Sequence, residues 1–217
     1  MHYFTFATED TVLSEASESN NFGLDEILEI RKDVDDAGVT VDVSRILVRF
    51  DLAEMSQSVV RAGAGSKARY YLNLYDAGSD NLTTSQSIYA YPVSQSWNMG
   101  RGKTTYSPAE TEGVSWAYRT GKNEETFWTN AGVKDTGGAW HSGSGQRASQ
   151  SFVHTNTELD MRMDVTDITN KWLSGTLPKR YTYYMHTKIR SSMGFFSLEY
   201  RHSSEFRCFW IRRLTNL

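Results

Sequence analysis

The sequence predicts an all-β fold: an antiparallel β-sandwich of jelly-roll type with one short helix near residues 165–174. Three observations predict it. Aromatic residues make up 13% of the chain, glycine (16) far outnumbers proline (3), and apolar side chains recur at every second position. Aromatic side chains suit pleated surfaces, and period-two alternation marks a strand with one face in a core and one in water.

Each element follows from that pattern. In 45–52, Ile46, Val48, Phe50 and Leu52 fall on one face while Arg45, Arg49 and Asp51 fall mainly on the other, which reads as the wet one. In 158–165 the separation of apolar from polar positions is complete. Further strands are expected at 2–6, 26–31, 67–75, 86–93, 113–118, 149–154, 181–189, 194–200 and 206–212. The helix rests on Val165, Ile168, Trp172 and Leu173 sharing one face, with Asp164 or Thr166 to cap its start, Gly175 as a left-handed stop and Pro178 beyond. Residues 54–60 can add a helical turn. The whole chain, 1–217, reads as a single sandwich domain with a loop-rich insertion at about 98–148, rich in Gly, Ser and Thr and carrying Trp116, Trp128 and Trp140. Neither a repeat nor a coiled-coil heptad is visible.

Composition excludes several functions. A chain of 217 residues can bury a core without staples, and the single Cys208 excludes a disulfide framework or a thiolate metal cage. The start, Met1 to Thr5, lacks the pattern of a secretory signal, and no apolar run approaches a bilayer's thickness, so the expectation is a product made in a cytoplasm with no membrane partner. A net charge of −3 gives no reason to invoke nucleic acid. Charge is nonetheless uneven: residues 1–60 hold 13 acids against 4 bases, and residues 179–217 hold 2 against 8. Two segments of opposite sign can neutralise each other within one sheet, or between subunits in head-to-tail contact.

Four segments resemble the DNRLRE-type domain, a carbohydrate-binding-module-like β-sandwich. They are Ala7 to Ser14 with the Asn20-Asn21-Phe22-Gly23 turn; Ser44 to Leu52; Ala68 to Tyr75 with Ile88 to Val93, Trp97 and 113–116; and Met163 to Ile168 with Trp172-Leu173. They come in family order over 7–175. The segments 195–202 and 207–213 depart from the family's closing strands. The resemblance implies a virion structural protein of a tailed phage of the cyanobacterial type, on the particle exterior in a neck, tail, fibre or capsid-decorating position. It would be made in the host cytoplasm and located in the virion, with other virion proteins and its own copies as partners. The alternative it implies is a module that recognises host surface glycan.

No reactive arrangement speaks for an enzyme. Gly143-Ser144-Gly145 beside His141 is not a nucleophile elbow. The five histidines, His2, His141, His154, His186 and His202, lack metal-ligand spacing, so neither metal nor cofactor is expected. Glu110, Glu112, Glu124 and Glu125 read as loop carboxylates, though a glycosidase pair would draw on such residues. Asp76 to Asn81 reads as a turn, and Gly63-Ala64-Gly65-Ser66 precedes a strand where a phosphate cradle needs a helix. What remains is aromatic: Tyr89, Tyr91, Trp97, Trp116, Tyr118, Trp128 and Trp140. An indole face stacks on the C–H face of a sugar. Trp97 and Trp116 read as core by their positions; Trp128 and Trp140, with Trp116 and Tyr118 beside them, form the candidate contact set for glycan or a protein partner.

Overall fold

The computed structural model describes residues 4–34, 40–62, 68–76, 85–153, 155, 159–178, 180 and 182–189. The elements run β1 (Ala7–Ser14), a 3₁₀ turn (Glu15–Ser17), β2 (Lys32–Val34), β3 (Thr40–Phe50), α1 (Leu52–Ala62), β4 (Tyr71–Leu74), β5 (Gln86–Pro92), β6 (Trp128–Asn130), β7 (Val133–Asp135), β8 (Ala148–Phe152), β9 (Met161–Asp164), α2 (Thr166–Leu173) and β10 (Thr182–Ile189). The main sheet has the order β1-β3-β10-β5-β8, with β2 also on β3; β4 pairs with β9, and β6 with β7. All of these pairings are antiparallel. The fold is thus the all-β sandwich that the alternation predicts.

The main sheet is covered on its inner face and on part of its outer face. On its inner face, Ile46 and Val48 of β3, Ile88 and Ala90 of β5, and Tyr183 and Met185 of β10 pack against Leu72, Leu74, Met161 and Met163 of the β4–β9 ribbon and Ile168 and Trp172 of α2. On its outer face, Leu13, Leu47, Val93 and Tyr184 pack against Trp97, Val114, Trp116, Trp128 and Ala139. The loop-rich stretch therefore lies over the sheet as a layer with its own core. This corrects the reading of the face of Arg45 and Arg49 as wet. Arg45 donates to the Gly137 carbonyl at 2.6 Å and lies 4.4 Å over the Trp116 ring. Arg49 donates to the Trp97 carbonyl at 2.9 Å, lies 4.4 Å over that indole and pairs with Glu9 at 2.7 Å. Two cations alternating with apolar residues look solvated in sequence; here they fasten a second layer.

Other expectations change for local reasons. Residues 4–6 precede the first strand, which starts at Ala7. In 26–31, Leu28 and Ile30 fill the core at 1% exposure from a segment that is not a strand. In 113–118 the alternation is equally deceptive: the Ser115 N–H donates to the Tyr118 carbonyl, making a turn, and only isolated bridges flank it. Asp51 leaves the strand to accept the Ala53 N–H at 2.7 Å, capping α1. At α2 the stop signal holds, with Gly175 at φ 77°, whereas the cap position falls on Val165 and Asp164, just before it, accepts the Thr166 N–H at 2.9 Å. The expected strands at 194–200 and 206–212, the motif 63–66, His2, His154, His202 and Cys208 lie outside the described residues, as does most of 76–81.

The layer is pinned by one buried amide. Asn21, 1% exposed, donates through Nδ2 to the carbonyls of Met99 and Val114, each at 2.7 Å, and accepts the Gly102 N–H at 2.7 Å and the Gly23 N–H at 3.2 Å through Oδ1. Its own N–H donates to the Glu110 carbonyl. Loop backbone closes in so tightly that a Cβ at Gly113, which sits at φ 105°, would run into Gly100 and the Asn21 amide.

Candidate functional site

The four residues of the candidate contact set do not share one surface. Trp128 is fully buried, with its indole N–H donated to the Ser115 carbonyl at 3.0 Å, and Trp116 is 4% exposed under Arg45. Both anchor the loop layer, and neither presents a ring to solvent, which corrects their place among contact residues. For Trp128 the reason is that the indole N–H finds its partner inside the layer, at the Ser115 carbonyl. Tyr118 is half-buried against Phe127, ring centroids 4.9 Å apart, with the Lys134 ammonium over Phe127. That pair lies next to the β6–β7 hairpin.

Trp140 does meet other rings. The segment 139–141 runs along the end of β5: Ser94 N–H donates to the Ala139 carbonyl, His141 N–H to the Pro92 carbonyl, and Val93 bridges Trp140. That pairing lays the indole on Tyr184, 4.4 Å between centroids and 10° between planes. A Cβ on Gly138 would meet the same Tyr184 ring at 2.8 Å, so this approach of the loop needs glycine. Beyond Trp140, the outer face of the sheet carries Tyr91, Tyr89 and His186, each half-buried. The His186 imidazole lies 5.6 Å from both tyrosine rings, within 27° of parallel to Tyr89 and 2° to Tyr91, and Tyr91 is 6.1 Å from Trp140. The register explains the grouping: His186 is opposite Tyr89, and Tyr184 opposite Tyr91.

The margin of this aromatic group is polar. Arg147 places its guanidinium 5.4 Å from the Tyr89 ring centre, and on edge strand β8 the exposed Ser149 lies opposite Tyr89. Ser151, one step further along the same face, shares a hydrogen bond of 2.7 Å with Ser87. His141, next to Trp140, is held below the ordinary histidine value by burial and, secondly, by the Arg180 charge. Tyr184 is pushed above the ordinary phenol range by burial, so it serves as a neutral platform beneath the indole.

A second feature gathers carboxylates. An open cleft of about 510 Å³ is lined by Glu9, Glu110, Glu112 and Glu124 with Arg101, Asn98 and Thr120. Two of the four already have structural tasks, as Glu9 pairs with Arg49 and Glu110 accepts the N–H groups of Thr111 and Glu112. Among the described residues, no three His, Cys, Asp or Glu side chains gather as a metal ion would need, and no helix is long and apolar enough to cross a membrane.

Residues 2–163 match carbohydrate-binding module family 96. The chain belongs to that family. No curated protein and no solved structure matches it. The matched span takes in the loop layer and three rings of the aromatic group, Tyr89, Tyr91 and Trp140, while His186 lies beyond it. Within the module, sequence reasoning named Tyr89, Tyr91 and Trp140 but missed His186 and Arg147 as their neighbours. The alternation in 86–93 carried part of that signal, since it sets Tyr89 and Tyr91 against Ile88 and Ala90.

Proposed function

We propose that the chain is a non-catalytic module that holds glycan on the outer face of its main sheet, through Trp140, Tyr91, Tyr89 and His186. The observation that carries the reading is the group itself: half-buried rings, fixed by strand pairing, beside the exposed Ser149 and Arg147. Ring faces and edges cover the C–H surfaces of a sugar, and hydroxyl, guanidinium and imidazole groups at the margin meet its hydroxyls. Because the rings are already stacked on one another, little side-chain entropy remains to be lost on binding. Two of the four cleft carboxylates are engaged structurally, Glu9 with Arg49 and Glu110 with the N–H groups of Thr111 and Glu112. Electrophoresis through native gels cast with soluble polysaccharides tests this. The wild type should be retarded by at least one polysaccharide, while Tyr89→Ala and Trp140→Ala should weaken retardation about tenfold or more, the equivalent of ~1.4 kcal/mol. Tyr118→Ala should behave as wild type. Migration of the wild type unaffected by every polysaccharide would overturn the proposal, and so would release of reducing ends from any of them.

The ordered resemblance of four segments to DNRLRE-type domains supports a place for the module on the exterior of a tailed phage particle, assembled through contacts with its own copies and other virion proteins. There the glycan face would meet the host surface. Co-sedimentation of the protein with purified particles tests this role, and a monomer that joins no particle component contradicts it.

A further inference from the structure

The β4–β9 ribbon turns Leu72, Leu74, Met161 and Met163 into the core. Its other face therefore points away from the molecule, on the side opposite to Tyr89 and Tyr91. That face is aromatic. Tyr71 is 43% exposed and Tyr75 57% exposed, both on the same side of the strand line with Asn73 between them. Four residues of extended chain separate the two rings by ~13 Å. Register places Asp164 opposite Tyr71 and Arg162 opposite Asn73. The Arg162 guanidinium lies 4.5 Å over the Tyr71 ring, which holds both side chains in one arrangement. Asp160 is held as well, accepting the Asp76 N–H at 2.9 Å, and the Gln150 side-chain Oε1 accepts the Arg162 backbone N–H at 2.8 Å.

A sheet face usually loses its large rings to a core or a partner, and two tyrosines so exposed beside fixed polar groups call for an occupant. Charge selects it. Asp160 and Asp164 are balanced by Arg162 and by Arg69, which acts on Asp164. Among the described residues this face has no net charge, and its carboxylate, guanidinium, amide and phenol groups suit a neutral, hydroxyl-rich chain lying across two rings. It gives a polyanion no advantage.

We propose that this ribbon is a second glycan-contact face, for a neutral polysaccharide chain, and that the module bridges two glycan chains held on opposite sides of the sandwich. The inference rests on the reading of the first face as a glycan surface. One sheet-to-sheet spacing of ~10 Å plus side chains separates the two faces, too solid a block for one chain to reach both, so two bound chains are joined and not one bound twice.

Titration calorimetry with cellohexaose, laminarihexaose, mannohexaose and xylohexaose, and agglutination of beads coated with the parent polysaccharides, test this on protein shown to be monomeric by sedimentation. The wild type should take two hexasaccharides per chain and agglutinate beads. Tyr71→Ala/Tyr75→Ala should take one and agglutinate none, with circular dichroism and thermal midpoint unchanged because both rings are exposed. Tyr89→Ala should likewise keep one site, the ribbon. Backbone amides of 71–75 and 160–164 should shift in nuclear magnetic resonance titrations of the Tyr89→Ala variant. A wild-type stoichiometry of one that survives Tyr71→Ala/Tyr75→Ala overturns the second face and leaves the first intact. Binding of acidic polysaccharides alone also overturns it. A wild type that binds none of the polysaccharides removes the first face too, whereas binding lost only in Tyr71→Ala/Tyr75→Ala would move the function to the ribbon and end the bridging.

Discussion

Asn21 is where a single side chain has most to hold. Its amide satisfies two carbonyls and two N–H groups from three loop segments, three of the four bonds being buried. Asn21→Ala should therefore lower stability by about 3 kcal/mol in chemical denaturation, because buried backbone groups are left unpaired. Asn21→Asp, equal in size, should cost more, since a carboxylate would face the Met99 and Val114 carbonyls without a proton to donate. His141 gives a pH signature. Burial and then Arg180 hold its folded value below the ordinary 6.5. In the window that opens near 6.5 and extends downward, the unfolded chain binds more protons than the folded one, so stability falls as pH falls through it. His141→Gln should flatten that part of the stability profile and leave the alkaline part unchanged. Sequence patterning could not single out either residue: an Asn in an Asn-Phe-Gly turn looks like any loop residue until three loops converge on it, and a histidine's surroundings come from pairing across the fold.

At the level of elements, the loop layer depends on two arginines of β3. Arg45→Met keeps the aliphatic stem but loses the bond to Gly137 and the charge over Trp116, so residues 98–140 should become sensitive to limited proteolysis while the β3, β5 and β10 core resists. Arg45→Lys should restore little, because an ammonium lacks the planar stacking surface. Elements with strict periodicity or end signals were legible: β3, β5, β9, β10 and α2 lie where alternation and the Asp164 and Gly175 signals place them. The β6–β7 hairpin was not. Its turn puts Ala131 at φ 49° and Gly132 at φ 81°, and an alanine in a position that favours Asn or Gly gives no warning of a tight hairpin. The segments 26–31 and 113–118 misled in the opposite direction, because alternate side chains can enter a core from irregular backbone that is tied by local hydrogen bonds.

Across the whole molecule, a sandwich carries a second, loop-built layer on part of one face and leaves aromatic rings at the edge of that layer. The fold class was legible because alternation reports burial on one side of a strand. The site was legible only in part, since tryptophan content marks large apolar surface without saying which side of it faces water: Trp116 and Trp128 went to the inner core of the layer, and Trp140 to its edge. A tryptophan on the inner helix shows the contrast with surface rings. Trp172, 1% exposed and edge-on to Tyr183 at 4.9 Å, should cost about 3–5 kcal/mol when replaced by alanine, without any direct role in binding. Glycan retention by the outer sheet face is the property on which the proposed function depends. Native gel electrophoresis in polysaccharide, wild type beside Tyr89→Ala, measures it most directly: retardation of the wild type that is largely lost in the folded variant is the predicted result, and equal mobility of the two proteins in every polysaccharide would contradict it.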